Sequence, residues 1–115
     1  VQALSPETAK IVTQLLAQSV QNSRSVINLE NYSVAGKTGT SKKPMEHKKG
    51  YTNALYTSVV GYLPASNPQI LVYVVVDSAS TGAVWGNTVA GPVFKEVATQ
   101  CARILNIPPD KNVRN

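Results

Sequence analysis

The first part of the chain has the hydrophobic pattern of an amphipathic helix. Ser5 can cap its start, Pro6 suits the first helical position, and Glu7 opposes the positive end of the helix dipole. Apolar residues then recur at helical spacing up to about Asn22, namely Ile11, Val12, Leu15, Leu16 and Val20. We therefore predict a helix from Ser5 to about Asn22 with one apolar face.

A second helical pattern closes the chain. It begins between Thr88 and Pro92, after a loop rich in Ser, Thr and Gly that runs through Trp85 and Gly86. Proline at 108 and 109 forbids its continuation. Its predicted apolar stripe is Val93, Phe94, Val97, Cys101, Ile104 and Leu105, and its predicted solvent face is Lys95, Glu96, Gln100 and Arg103.

Three segments between the helices have strand character. The first, 32–40, contains two glycines and leads into a basic loop at 41–52. The other two, 55–63 and 69–77, are separated by a proline-bounded turn at 64–68, which predicts an antiparallel hairpin. Residues 70–76 are apolar without alternation, so we expect both faces of that strand to be covered.

This order of elements predicts an α+β fold. An antiparallel sheet of about three strands is flanked by an N-terminal and a C-terminal helix, in one domain over 1–115. Three strands are few, and unpaired strand edges invite association. We therefore expect one edge of the sheet to pair with polypeptide outside this sequence.

Composition narrows the classes of function. The 115 residues are 43% hydrophobic, which is typical of a folded domain, and no apolar run is long enough to span a membrane. The single cysteine, Cys101, cannot form an intrachain disulfide and is predicted to be a buried small side chain.

The formal charge of +5 comes largely from Lys42, Lys43, Lys48 and Lys49, with His47 among them. No nucleic-acid-binding motif accompanies this cluster, so a solvated loop is favoured over a nucleic-acid site. A binding module that uses the cluster for an anionic polymer stays open as an alternative.

The segment Lys37-Thr38-Gly39-Thr40 contains the side chains of a carboxylate site. Lysine supplies a cation, the threonines supply hydroxyl donors, and Gly39 leaves room for another backbone. Alternation along a strand puts Lys37 and Gly39 on one face and the threonines on the other. A peptide ending in a carboxylate could bind here as an added strand. A phosphate-binding loop is excluded because it needs glycine where this sequence has Asn31, and a helix afterwards.

Several further segments occur with this tetrapeptide in the same order and spacing. They are 5–9 (SPETA), 34–41 (VAGKTGTS), 56–64 (YTSVVGYLP), 74–77 (VVVD) and 91–96 (GPVFKE). Together they resemble the transpeptidase domain of class B penicillin-binding proteins, most of all the division and elongation enzymes. The chain would then be the C-terminal part of such a domain and contribute part of its five-stranded sheet.

The resemblance implies acyl transfer in bacterial cell-wall synthesis. In this family a serine attacks the penultimate D-alanine carbonyl of a peptidoglycan stem peptide, and penicillins imitate that dipeptide. By match to the motif, Lys37 and Thr40 would be catalytic, with the Thr40 N–H in the oxyanion hole. Lys37, Thr38, Gly39 and Thr40 would bind substrate. No metal or cofactor is implied.

The sequence departs from the family pattern in two of its three motifs. No lysine has serine three positions before it, and no asparagine has serine two positions before it, so Ser-x-x-Lys and Ser-x-Asn are missing. Tyr51-Thr52-Asn53 follows the Lys37 strand instead of preceding it and is interpreted as loop. We therefore expect this chain alone to be inactive. A serine β-lactamase or D,D-carboxypeptidase of the same superfamily is the alternative parent.

The resemblance also implies a setting for the parent protein. Its partners would be the D-Ala-D-Ala stem peptide, β-lactams and other division or elongation proteins. It would lie on the periplasmic face of the bacterial cytoplasmic membrane, anchored through an N-terminal helix outside this sequence.

Overall fold

The computed structural model describes residues 1–23, 25–77 and 90–111. Its elements are helix α1 (Pro6–Asn22), strands β1 (Ala35–Pro44), β2 (Tyr51–Leu63) and β3 (Ile70–Asp77), and helix α2 (Gly91–Ile104). The strands form an antiparallel sheet in the order β1-β2-β3. The predicted α+β fold is therefore confirmed, although the loop predicted through Trp85 and Gly86 lies outside the described residues. No helix in the described ranges has the length and apolar character needed to cross a membrane.

Helix α1 begins as the sequence predicts. The Ser5 hydroxyl accepts a hydrogen bond from the Thr8 N–H at 3.2 Å, which satisfies one of the unpaired donors of the first turn. Its apolar residues are mostly uncovered, since Ile11 and Leu15 are 57% and 61% exposed and only Val20 is buried. The helix packs mainly along β1, and its Thr13 hydroxyl lies 2.7 Å from the Tyr62 hydroxyl of β2.

Helix α2 is confirmed, but its predicted apolar stripe is mostly wrong. Phe94 is buried as expected, and Cys101 is only half-buried. The other buried residues on the helix face are Gly91, Ala98 and Ala102, while Val93, Val97 and Ile104 are exposed. Small side chains at 98 and 102 let the helix lie close to the sheet, so its larger aliphatic residues point away. Burial thus follows size as well as hydrophobicity.

The aromatic ring of Phe94 packs on a glycine of the central strand. A Cβ atom added to Gly61 would come within 2.7 Å of the ring, so only glycine fits at that position of β2. Phe94 is fully buried there, in the same core cluster as Ile27, Val34, Val59 and Leu63. This contact fixes the position of α2 on the sheet.

The basic loop predicted at 41–52 is shorter in the structure. Strand β1 continues to Pro44 and β2 starts at Tyr51, with a register irregularity between Lys42 and Pro44. The Met45 N–H donates to the Gly50 carbonyl at 3.0 Å and closes the turn between them. The prediction was wrong because ladder hydrogen bonds and cross-strand contacts extend the hairpin into a polar, proline-containing segment.

Strand β3 has one covered face and one exposed face, which contradicts the prediction that both are covered. Val72, Val74 and Val76 pack against the core cluster, whereas Leu71 and Tyr73 are 66% and 64% exposed. We call the side of the sheet that contacts Phe94 the packed face and the side that includes Leu71, Tyr73 and Val75 the open face. The described helices cover only the packed face of β3, so its uninterrupted apolar sequence is not matched by burial.

The segment after α2 folds back onto the residues that precede β1. Asn106 has a positive φ of 54°, which ends the helix before the prolines are reached. The Tyr32 hydroxyl donates to the Ile107 carbonyl at 2.6 Å. The Asp110 carboxylate accepts hydrogen bonds from the Ser33 N–H at 2.7 Å, from the Ser33 hydroxyl, and from the Ser66 hydroxyl at 2.6 Å. We call this group of contacts the Asp110 clamp.

Candidate active site

The Lys37–Thr40 segment lies within β1 and pairs with β2 in regular register. Lys37 is opposite Val60 and Thr40 is opposite Thr57, and the register irregularity occurs only beyond Lys42. Side-chain alternation therefore holds over the segment, with Lys37 and Gly39 on the open face. Strand β1 is at the edge of the sheet, and no described strand pairs with its outer edge.

The Lys37 side chain is exposed and lies along its own strand. Its ammonium group donates a hydrogen bond to the Thr38 carbonyl oxygen at 2.9 Å. An ammonium has three donors, so this contact holds the cation at the strand while leaving donors for an anionic group. Thr38 is half-buried and Thr40 is exposed, and alternation puts both side chains on the face of β1 opposite to Lys37.

The sequence predicts that Gly39 leaves room for another backbone, but in the structure a side chain occupies the space beside it. A Cβ atom built on Gly39 would come within 2.8 Å of the Ser58 hydroxyl oxygen, which belongs to the residue directly opposite on β2. The space left by the missing side chain is therefore filled from inside the sheet. Ser58 was not predicted as a neighbour of the site. Its position opposite Gly39 follows from the strand register, which depends on the short turn at 45–50, and this turn was predicted to be part of a longer loop.

A shallow depression of about 210 Å³ adjoins the cation. It lies between the end of α1 and β1, and the residues that line it include Ser19, Ser23, Lys37 and Thr38. Hydroxyl groups and an ammonium around one opening suit a polar, negatively charged group. Within the described ranges, no group of three or more His, Cys, Asp or Glu side chains is arranged to hold a metal ion.

The basic cluster does not form one continuous cationic surface. Lys43 binds Asp77 of β3 at 2.6 Å and lies 5.1 Å from the centroid of the Tyr56 ring. The hydrogen bond to Asp77 raises the pKa of the Lys43 ammonium above its ordinary value of 10.5, against an opposing effect of desolvation. Lys42, Lys48 and Lys49 are exposed, as is His47, so the solvated-loop interpretation fits better than a built anion site.

Comparison with known proteins identifies the family. Residues 1–99 match the family model described as the penicillin binding protein transpeptidase domain. The chain belongs to this family. The resemblance inferred from the sequence is therefore confirmed.

The similar proteins are longer than this chain. It is 35% identical over 112 residues to the probable peptidoglycan D,D-transpeptidase PbpC of Pseudomonas aeruginosa, covering 95% of this chain and 20% of that protein. It is also similar to the apo transpeptidase domain of Burkholderia pseudomallei penicillin-binding protein 3, with a TM-score of 0.78 and 37% identity, covering 93% of this chain and 33% of that one.

A third similar structure is Mycobacterium tuberculosis penicillin-binding protein 3 in complex with aztreonam. The TM-score is 0.80 at 24% identity, with coverage of 95% of this chain and 27% of that one, which supports the shared fold. The chain thus spans between a fifth and a third of the length of these three proteins. The relatives named as D,D-transpeptidases favour that branch over the β-lactamase and carboxypeptidase alternatives.

Proposed function

We propose that this chain is the substrate-binding part of a peptidoglycan D,D-transpeptidase, in which β1 holds the carboxylate end of a stem peptide. The observation that carries the proposal is the exposed Lys37 ammonium at an edge strand, with Thr38 and Thr40 on the other face of the same strand. A peptide that adds along the outer edge of β1 gains backbone hydrogen bonds. Its terminal carboxylate then receives charge-assisted hydrogen bonds from the cation and the hydroxyls.

The chemical step needs a nucleophile from the rest of the protein. In the proposed mechanism that serine attacks the penultimate D-alanine carbonyl, terminal D-alanine leaves, and an amine of a second stem peptide resolves the acyl-enzyme. The Thr40 N–H supplies one donor to the developing oxyanion, and Lys37 adds positive potential on the face from which the serine approaches. Gly39 lies between Lys37 and Thr40 in the sequence and adds no side chain of its own to this face of β1.

The parent protein would also bind β-lactams, because aztreonam occupies the related Mycobacterium tuberculosis protein. We place the parent on the outer side of the bacterial cytoplasmic membrane, with an anchoring helix outside this sequence and with division or elongation proteins as partners. Neither a metal nor a cofactor takes part in the proposed reaction.

Labelling with a fluorescent penicillin tests the proposal. The full-length protein should be labelled covalently, whereas this chain alone should not, because it lacks the Ser-x-x-Lys motif. Lys37→Ala in the full-length protein should slow labelling about 10- to 100-fold, since a hydrogen bond to a charged group contributes about 1.5–3 kcal/mol.

Lys42→Ala is the matched control, because it removes an exposed lysine from the same strand and should leave the labelling rate unchanged. Covalent labelling of the isolated chain would contradict the proposal, and so would equal effects of the two lysine substitutions.

A further inference from the structure

Ser58 is the residue of β2 that lies directly against the proposed substrate-binding strand. It is opposite Gly39 in the β1–β2 register and opposite Val75 in the β2–β3 register, so strands on both sides hold its backbone. Its hydroxyl oxygen is 2.8 Å from the position of a Cβ atom on Gly39. Among the described residues, no other atom outside the immediate chain neighbours comes within 4 Å of that position.

The same serine is a neighbour of the lysine. Lys37 is opposite Val60, two residues after Ser58 on β2, so the two side chains leave the open face at diagonal positions of the ladder. Lysine is long enough to cross such a diagonal. The small Ser58 side chain leaves the Lys37 ammonium free to lie along β1 and reach the Thr38 carbonyl. A larger residue at 58 would compete for that space.

We propose that Ser58 is a positioning residue of the Lys37–Thr40 site, and that its hydroxyl lies in the space that a side chain on Gly39 would otherwise occupy. The hydroxyl lies over the β1 backbone at Gly39, on the same face of the sheet as the Lys37 side chain. Ser58 therefore acts through Lys37 and the β1 backbone and does not touch the substrate. This inference rests on the proposed function, but its packing part is independent of activity.

A double substitution in the full-length protein separates this role from direct substrate contact. Gly39→Ala should slow acylation by a fluorescent penicillin by about tenfold or more, because small displacements of a reacting geometry are costly. Ser58→Ala removes the atom that the new methyl group would meet. Acylation by the Gly39→Ala/Ser58→Ala protein should therefore return to within about threefold of the rate of Ser58→Ala alone, which is the coupling expected of residues in contact.

Ser58→Val, which puts a larger side chain beside Lys37, should lower the acylation rate constant several-fold, by about the amount expected for a misplaced site. It should change neither the affinity of the preceding non-covalent complex nor the melting temperature. An unchanged acylation rate constant would overturn the positioning role. If the double variant stays as slow as Gly39→Ala, the glycine is needed by the substrate and the proposal fails.

Gly36→Ala is the matched control on the same strand. Its new Cβ atom would meet the Val60 carbonyl oxygen at 2.8 Å and the Gly61 Cα at 3.2 Å, which are backbone atoms, so Ser58→Ala should not rescue it. Rescue of Gly36→Ala would show that the effect is not specific to the pair.

Melting temperatures distinguish failure of this inference from failure of the proposed function. If Lys37→Ala does not slow acylation, the function is wrong. In that case the packing part can still be tested. A higher melting temperature of the Gly39→Ala/Ser58→Ala protein than of the Gly39→Ala protein would show that the two residues are in contact.

Discussion

The two faces of the sheet have similar apolar character and opposite environments. On the packed face, Val59 and Phe94 are fully buried, while on the open face Leu71 and Tyr73 are more than 60% exposed. Both faces of β3 carry large apolar side chains, so hydrophobic character does not distinguish them. The difference is in what covers each face, and Lys37 lies on the one that the described residues leave largely open. The proposed chemistry is thus on the less covered face of the described sheet.

The difference in exposure between the two faces is consistent with the chain matching only part of a larger domain. It covers 33% of the Burkholderia pseudomallei transpeptidase chain that it resembles. Apolar side chains as exposed as Leu71 and Tyr73 in one patch are typical of an interaction surface. We expect other parts of the same domain to cover the open face in the full-length protein, which would place them beside Lys37.

The largest expected effect is on the packed face. Phe94→Ala in the full-length protein should lower the free energy of unfolding by about 3–5 kcal/mol, because it leaves a cavity over Gly61. Denaturant unfolding measures the change. Val93→Ala, at the exposed neighbouring position, is the control and should be nearly neutral. A small effect of Phe94→Ala would mean that the packed face is not the core.

The next effect tests the open face. If the rest of the domain covers it, Leu71→Ala in the full-length protein should lower the free energy of unfolding by about 2–5 kcal/mol, as for a buried leucine. Ile104→Ala, which also removes an exposed aliphatic side chain, should change it by less than about 0.5 kcal/mol. Equally small changes in both variants would show that the open face stays uncovered.

A smaller change of opposite sign is expected within the packed face. The Thr57 hydroxyl is buried and has no hydrogen-bond partner among the described residues. Thr57→Val should raise the free energy of unfolding by about 1–3 kcal/mol, the cost of an unsatisfied buried polar group. In contrast, Thr52→Val should lower it, because the Thr52 hydroxyl donates to the Lys43 carbonyl at 3.1 Å. Destabilisation by Thr57→Val would reveal a partner for its hydroxyl.

The smallest effect concerns the Asp110 clamp, which lies on neither face. Partial burial raises the pKa of Asp110, but hydrogen bonds from the Ser33 side chain, the Ser66 side chain and the Ser33 N–H outweigh it and lower the pKa below 3.8. A depressed carboxyl pKa stabilises the fold above the unfolded value, and the contribution is lost as pH falls through the folded value.

Asp110→Asn should therefore reduce the melting temperature of the full-length protein at neutral pH. The difference from the unsubstituted protein should shrink as the pH falls below about 3.8. Glu96→Gln, a change to an exposed helix carboxylate, serves as the control. A difference that is constant across this pH range would mean that the charge of Asp110 does not stabilise the clamp.

Local patterns were sufficient to predict the elements and the position of the candidate site. The Ser5 cap, the turn at 64–68 and the edge strand with Lys37 follow from residues close together in sequence, and all are present in the structure. Burial was harder to predict. The apolar run in β3 gives no indication that the described residues leave one of its faces exposed, since burial depends on segments distant in sequence.

The remaining errors come from contacts between distant positions. Strand β1 extends to Pro44, where Lys43 reaches Asp77 across the sheet, and no pattern within the basic segment reveals that partner. Ser58 was missed for the same reason, because its relation to Gly39 exists only once the register of the hairpin is known. The alanines that α2 presents to the sheet were overlooked because the pattern weighs hydrophobicity more than size.

The contact between Ser33 and Asp110 joins positions 77 residues apart. The residues that lead into the lysine strand therefore cannot form these last hydrogen bonds in any chain that has not yet been extended to Asp110. The proposed substrate-binding edge comes early in the sequence but is completed late, so a chain that ends between α2 and Asp110 would present that edge without its final support.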